Sequence, residues 1–274
     1  MTEPPTSATG LNEIYLKKEM SGRVLWLTMC RPEKGNALSL LSMDHLKEAL
    51  KAAYNDRRVK VIVLAAEGKI FCAGHDIYEM SSGKGVKQTR ADQREILIRC
   101  RDMMMTIMHG DKPVIACVQG IATAGGAQLV AACDLAIASD TATFCTPGVN
   151  LGAFCTTPLI GVGRNMHRKH AMEMALTGEM FSAADAARFG LVNRVVNPGK
   201  LHEETEALAQ KIATRSSEGI RHGKKAFYRQ IEMPLEEAYV FGIESMIAAC
   251  STEDARRGFQ AIQTKTTPVW QDEE

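Results

Sequence analysis

Val114-Ile-Ala-Cys-Val-Gln-Gly-Ile-Ala-Thr-Ala-Gly-Gly-Ala-Gln-Leu-Val-Ala-Ala-Cys-Asp-Leu-Ala-Ile-Ala-Ser139 decides the fold. Val114 to Val118 is apolar at every position, as in a strand buried on both faces of a parallel sheet. A Gly/Ala-rich turn follows, then a short helix to about Ala132, then a second strand over Asp134 to Ser139. A strand, a helix and a strand in this order predict a right-handed crossover. The pattern extends outward. Val59 to Ala66 is another continuous apolar run, and Val24 to Cys30 reads as a strand between Gly22 and Pro32. Ala91 to His109 reads as a helix with Ile96, Cys100, Met103, Met104 and Ile107 inward. An earlier helix is expected with Ser42 as N-cap and Met43, Leu46, Leu50 and Ala53 on one face. Ser81-Ser-Gly-Lys-Gly85 is flexible by composition. The class is α/β with a mainly parallel sheet over residues 11–200. After about Val196 only helices are expected (Leu201 to Arg215, Pro234 to Gly258), giving a helical C-terminal region over 201–274. Met1 to Gly10 reads as a frayed tail, and no internal repeat is visible.

Composition narrows the class. The 274 residues carry 33 Lys plus Arg against 32 Asp plus Glu, a formal net charge of +1. That balance argues against a nucleic-acid partner, which calls for concentrated positive charge. With 45% hydrophobic and 24% charged residues the chain is globular. No apolar run approaches the ~18 residues of a membrane span, so no membrane partner is expected. The N-terminus has neither signal-peptide nor transit-peptide character. The eight cysteines lack a Cys-x-x-Cys pair, and Cys30, Cys117 and Cys133 sit in apolar segments, as reduced thiols do. The expectation is a cytoplasmic protein.

Two turns could carry chemistry. Lys69-Ile-Phe-Cys-Ala-Gly-His-Asp-Ile77 follows a strand in the place where open α/β sheets bind ligands. Gln119-Gly-Ile-Ala-Thr-Ala-Gly-Gly-Ala-Gln128 follows another strand and opens a helix, leaving free N–H donors at its positive end. The run is neither a Walker A loop nor a dinucleotide fingerprint. It suits a phosphate or a developing oxyanion. The plain structural alternatives are a tight turn and close strand–helix packing.

Together the two turns resemble the enoyl-CoA hydratase/isomerase (crotonase) superfamily. The resemblance includes Arg31-Pro-Glu-Lys-Gly-Asn-Ala-Leu-Ser39, Phe144-Cys-Thr-Pro-Gly-Val-Asn-Leu-Gly152, Ala175-Leu-Thr-Gly-Glu179 and Ser182-Ala-Ala-Asp-Ala-Ala-Arg-Phe-Gly-Leu-Val-Asn-Arg-Val-Val196. It implies a spiral of ββα units, with a helical C-terminal region that packs as a homotrimer or as a hexamer of paired trimers. It implies acyl-CoA thioester substrates, whose carbonyl is polarised by two backbone N–H groups mapped onto Ala73 and Gly125. The resemblance places Lys34, Ala37 and Leu38 in a CoA-binding segment, with Lys265 a basic position closing over CoA. Gly74, Asp76, Ile77, Gly126, Pro147, Gly148 and Thr156 complete the binding set. No metal and no redox cofactor is implied, CoA entering as part of the substrate.

The chain departs from the family it resembles at the water-activating glutamates. Gln128 stands in place of the first and Gly148 in place of the second. An amide cannot accept a proton at neutral pH and a glycine offers no side chain. His75, Asp76, Gln128, Asn150, Cys155 and Thr156 remain near the expected site. His75 and Gln128 are the catalytic candidates, His75 as a group that orients the thioester or a departing carboxylate and Gln128 as one that holds a water. Gly-His-Asp-Ile and Pro147-Gly-Val-Asn-Leu-Gly152 are similar to a decarboxylase branch acting on a malonyl-type CoA thioester, although Cys155 replaces that branch's tyrosine. The readings are an enolate-stabilising acyl-CoA enzyme, such a decarboxylase, a weak hydratase, or a non-catalytic acyl-CoA binder. Asp76 reads as tying its turn to backbone donors. Arg164 to His170 and Arg221-His-Gly-Lys-Lys225 read as solvated helix surface.

Overall fold

The computed structural model describes residues 15–81 and 89–273. The expected tail at Met1 to Gly10 lies outside them, as does most of the Ser81 to Gly85 stretch.

Six strands form the larger sheet: β1 (Leu16–Ser21), β2 (Val24–Met29), β3 (Val61–Ala66), β5 (Val114–Val118), β7 (Leu135–Ser139) and β10 (Arg194–Val196), side by side in that order. All neighbours are parallel except the β1–β2 hairpin. A smaller sheet holds β4 (Ile70–Cys72), β6 (Ile121–Thr123) and β8 (Thr143–Cys145) in parallel, with β9 (Phe181–Ser182) antiparallel at its edge. Each of β3, β5 and β7 is followed by a short strand in the smaller sheet and then by helix. The helices are α2 (Ile77–Met80) and α3 (Arg90–Met108), then α4 (Gly125–Ala132), then α5 (Thr156–Asn165). This is the expected stepping of ββα units. The repeat is geometric, since the three units share no sequence pattern.

The remaining helices are α1 (Leu40–Asn55), α6 (Arg168–Thr177), α7 (Ala183–Phe189), α8 (Leu201–Ala213), α9 (Ser217–Gln230), α10 (Leu235–Cys250) and α11 (Glu253–Thr264). α1 starts three residues earlier than expected: Ser39 is its cap, and its side chain accepts the Ser42 amide at 3.2 Å. Ser42 instead turns its hydroxyl to the Ala37 and Ser39 carbonyls. The expected helix over 234–258 is two helices, broken at Ser251 and restarted by the Thr252 cap.

Alternation along the buried strands divides the core. Ile62 and Leu64 of β3 face α1, α3 and α4, while Val61 and Val63 face the opposite way with Trp26, Ile115 and Ile137. That second face is covered by Leu201, Ala209 and Ala213 of α8. By packing, α8 belongs with the core, and the appended unit begins at α9 rather than at residue 201. Neither α9 nor α10 buries an apolar residue. Leu235, Tyr239, Ile243, Met246 and Ile247 line an open apolar hollow of about 630 Å³ along α10. Among the described residues no helix is long and apolar enough to cross a membrane.

Two buried lysines fasten this unit to the core. Lys60, beside β3, pairs with Asp272 at 2.9 Å. Lys224 of α9 pairs with Asp134 at 2.6 Å. The basic run at 221–225, within α9, is therefore not all solvated surface. Helical spacing aims Lys224 inward while Lys225 stays exposed.

Candidate functional site

The two turns singled out in the sequence meet at the ends of β4 and β6. Gly74 lies at φ +89°, and a Cβ there would come within 2.9 Å of Ala124 Cβ and 3.0 Å of the Thr123 carbonyl. At Gly126 a Cβ would lie 2.1 Å from the Cys72 carbonyl oxygen. These glycines let the turns interlock backbone to backbone. Ala124, the residue before α4, sits at φ +50°, ψ −115° with its amide bonded to the Cys145 carbonyl at 2.9 Å. A non-glycine residue held there stores ~1–3 kcal/mol of strain, which surrounding structure must over-determine.

The pairing of the first turn fixes where its N–H groups point. Leu38 and His75 form an isolated parallel bridge. The Leu38 amide donates to the Gly74 carbonyl at 2.8 Å, and the Asp76 amide donates to the Leu38 carbonyl at 3.2 Å. In such a bridge the amide and carbonyl of His75 itself face away from Leu38. Ala73 does not fit the donor role that the resemblance gave it. Its N–H is already donated to the Gly35 carbonyl at 2.9 Å. The His75 N–H has no acceptor among the described residues. Neither has that of Gly125, which as the first residue of α4 lacks an intrahelical partner. A Cβ on Gly125 would stand 3.5 Å from His75 Cε1 and 3.5 Å from Gly74 Cα, so the two donors are neighbours.

Side chains complete the surroundings. Burial pushes the His75 imidazole below its ordinary pKa, and its Nε2 is enclosed without a partner. The ring is therefore neutral near pH 7. Asp76 caps α2 by accepting the Tyr78 amide at 2.9 Å, as the turn chemistry predicted. Ile77 opens α2, exposed. Gln128 is buried one turn into α4, its Oε1 3.9 Å from the Cys100 thiol of α3. Gly161 of α5 closes over its aliphatic stem. Gly148 follows Pro147 in a 3-10 turn, and a Cβ there would lie 2.7 Å from the Cys155 amide nitrogen. The obstacle to a side chain at 148 is thus a backbone contact. Burial raises the Cys155 thiol, which argues against a thiolate nucleophile. Thr156 begins α5 with its amide already given to the Phe154 carbonyl at 2.8 Å.

The Arg31 to Leu38 segment lies against the first turn. Lys34 is exposed at the end of a 3-10 turn, Ala37 is half-buried and Leu38 is buried. Asn36 organises the loop from φ +49°. Its side-chain nitrogen donates to the Glu67 and Ile70 carbonyls at 2.9 and 2.8 Å, and its Oδ1 accepts the Arg31 amide at 2.9 Å. Sequence reasoning missed it, although Asn after Gly in a loop is a common sign of positive φ. Lys265 is not brought to these turns by any hydrogen bond or ion pair of its side chain. It caps α11, which packs on α9 and α10, and its side chain is exposed. Among the described residues no group of three His, Cys, Asp or Glu could hold a metal.

Chemically, this is a pair of preorganised donors at the positive end of a fully buried helix, beside a neutral imidazole. Such a pair suits an oxygen that gains negative charge. Glu79, in the short helix α2 that follows the first turn, is occupied: its Oε2 accepts the Leu40 amide at 2.8 Å.

Comparison with known proteins shows the family. Residues 19–273 match the model of the enoyl-CoA hydratase/isomerase family. The chain is 40% identical over 247 residues to the human mitochondrial enoyl-CoA hydratase domain-containing protein 3, covering 90% of this chain and 80% of that one. Among solved structures, an enoyl-CoA hydratase of Mycobacterium smegmatis superposes with a TM-score of 0.90 at 43% identity, covering 94% and 99% of the two chains. The human domain-containing protein 3 superposes at 0.89 with 38% identity, covering 94% and 100%. These similar vertebrate proteins are named mitochondrial, which overturns the cytoplasmic expectation. Its premise was too broad, because reduced thiols exclude only an oxidising compartment.

Proposed function

The chain belongs to the enoyl-CoA hydratase/isomerase family, whose members act on acyl-CoA thioesters, and from that premise we propose an acyl-CoA enzyme working through the His75 and Gly125 N–H groups. The observation that carries this reading is the pair of neighbouring backbone donors left without acceptors where two strand-end turns interlock. A thioester oxygen seated between them gains charge as the α-carbon becomes enolate-like, and each donor can supply ~3 kcal/mol toward it. The Arg31 to Leu38 loop is the CoA-side wall in this reading, with Lys34 facing the nucleotide phosphates and Gly74, Gly126, Pro147 and Thr156 around the acyl end. No metal or redox group is required.

The site stabilises an enolate but holds no carboxylate at 128 or 148. Water addition therefore lacks a general base, and hydration is weak. A second reading is favoured by that gap and by the unpartnered Nε2 of His75. In a malonyl-type thioester the bond to the carboxylate carbon breaks, carbon dioxide leaves, and the electron pair becomes the enolate held by the two donors. A proton from water then restores the α-carbon. This chemistry needs no base, and in this reading the thioester's carboxylate supplies the partner that the enclosed His75 Nε2 lacks. We assign the open apolar face of α10 to packing between copies in a trimer or hexamer.

The test is a panel of enoyl-, saturated and malonyl-type CoA thioesters followed by mass spectrometry. Turnover of any member supports the enzyme reading, and loss of carbon dioxide singles out decarboxylation. Tight binding across the panel with no product would replace it with a binding role.

A further inference from the structure

Lys224 is a buried cation that the site described above does not use. Its side chain is 6% exposed, and its ammonium has three acceptors on three different segments. It donates to Asp134 Oδ2 at 2.6 Å, to the Ile107 carbonyl in the last turn of α3 at 2.9 Å, and to the Lys112 carbonyl before β5 at 3.0 Å. Three donors meet three acceptors, so the group is saturated. Asp134 is as fully used: its Oδ2 also accepts the Val114 amide at 2.7 Å, its Oδ1 accepts the Tyr228 hydroxyl at 3.0 Å, and its own amide donates to the Val114 carbonyl at 2.9 Å.

Asp134 stands two residues beyond the end of α4, and the Gly125 N–H stands at its start. All eight residues of α4 are buried, so it is clamped laterally along its whole length. At 1.5 Å per residue the helix spans ~12 Å. A close-packed element of that size moves as a rigid piece, so a slip at one end appears at the other. We propose that Lys224 is a positioning residue: by tying α9 to Asp134 and to the end of α3, it sets the axial register of α4 and with it the place of the Gly125 donor. α9 and α10 bury no apolar residue within the subunit, so whatever seats those helices is transmitted to the donor. The use of that donor rests on the enzymatic reading above, whereas the mechanical link does not.

The experiment compares Lys224→Met, the double variant Lys224→Met/Asp134→Asn, and Lys225→Met as control. Lys225, the next residue of α9, makes an exposed pair with Asp111 in the loop between α3 and β5. The double variant leaves no unpaired buried charge and decides the matter if the single variant does not fold. Hydrogen exchange is followed by peptide, and acyl-CoA turnover alongside. The expected result is faster exchange over 119–132 as well as 107–114, with residues 61–66 unchanged and the control like wild type. Where the protein turns over a thioester, kcat falls ~10²-fold with little change in KM, as for a donor misplaced by about 1 Å. Exchange altered only at 107–114 and 217–230 would reduce Lys224 to a fastener and overturn the inference. If no thioester is turned over at all, the enzymatic reading fails by itself and the exchange pattern still decides this one.

Discussion

The interlocked turns at residues 72–77 and 121–128 and the C-terminal helices α9 to α11 are built on opposite terms. In the turns, backbone meets backbone at distances that only glycine permits, and every residue of the following helix is buried. In α9 and α10 no apolar residue is buried, and a row of large apolar side chains faces outward. The first region is determined within the subunit. The second is held by a few ionic tethers and leaves its apolar area to be covered by something else. In the function proposed above, the chemistry belongs to the self-determined region and association to the other, with Lys224 between them.

That contrast can be broken at its tightest point. Gly126→Ala would place a methyl 2.1 Å from the Cys72 carbonyl oxygen. The backbone must move, at a cost of ~3 kcal/mol or more, the upper range for overpacking. The expected result is a large fall in the denaturation midpoint together with lost acyl-CoA binding. A stable variant with wild-type affinity would show that the turns are not interlocked as described.

On the other side, Ile243→Asp with Met246→Asp should leave the subunit folded and dissolve its assembly, because both residues are exposed within the subunit. Sedimentation of the unmodified protein should give a trimer or hexamer, and of the variant a species near the 30.0 kDa of one chain. A wild-type monomer at micromolar concentration would remove the association surface from the comparison.

A smaller effect concerns pH. Burial holds the folded His75 pKa below the ordinary value of ~6.5. The unfolded chain therefore binds the proton more readily, and stability falls as pH drops below ~6.5 toward the folded value, being fully present above it. His75→Asn should flatten that acid limb in a pH series of denaturation midpoints. An unchanged limb would place its origin in other groups.

What the sequence made legible follows from locality. The inward face of α3, the bounds of β5 and the glycine start of α4 were all readable because burial pattern and turn chemistry are written in neighbouring residues. The strands of the smaller sheet were not, since β4, β6 and β8 have three residues each and no period can develop. The α1 cap went to the wrong serine because Ser39 and Ser42 are equally good by type, and the geometry of the preceding loop chooses. Ala73 and His75 could not be ranked as donors from their own segment. The choice is made by the Gly35 carbonyl and the bridge to Leu38, both distant in sequence. The buried side of Lys224 was hidden among its exposed basic neighbours for the same reason.

The central claim is that this site can hold an enolate oxygen but cannot activate water. Adding Gln128→Glu and Gly148→Glu is an indirect test, because a side chain at 148 meets the Cys155 backbone at 2.7 Å. The direct measurement is crotonyl-CoA hydration by the unmodified protein, beside an enoyl-CoA hydratase that carries both glutamates. General base catalysis contributes ~10²–10⁴-fold, so kcat should lie lower by at least the upper part of that range while the thioester still binds. A kcat equal to that of the two-glutamate enzyme would contradict the account and make His75 Nε2 the first group to examine as the base.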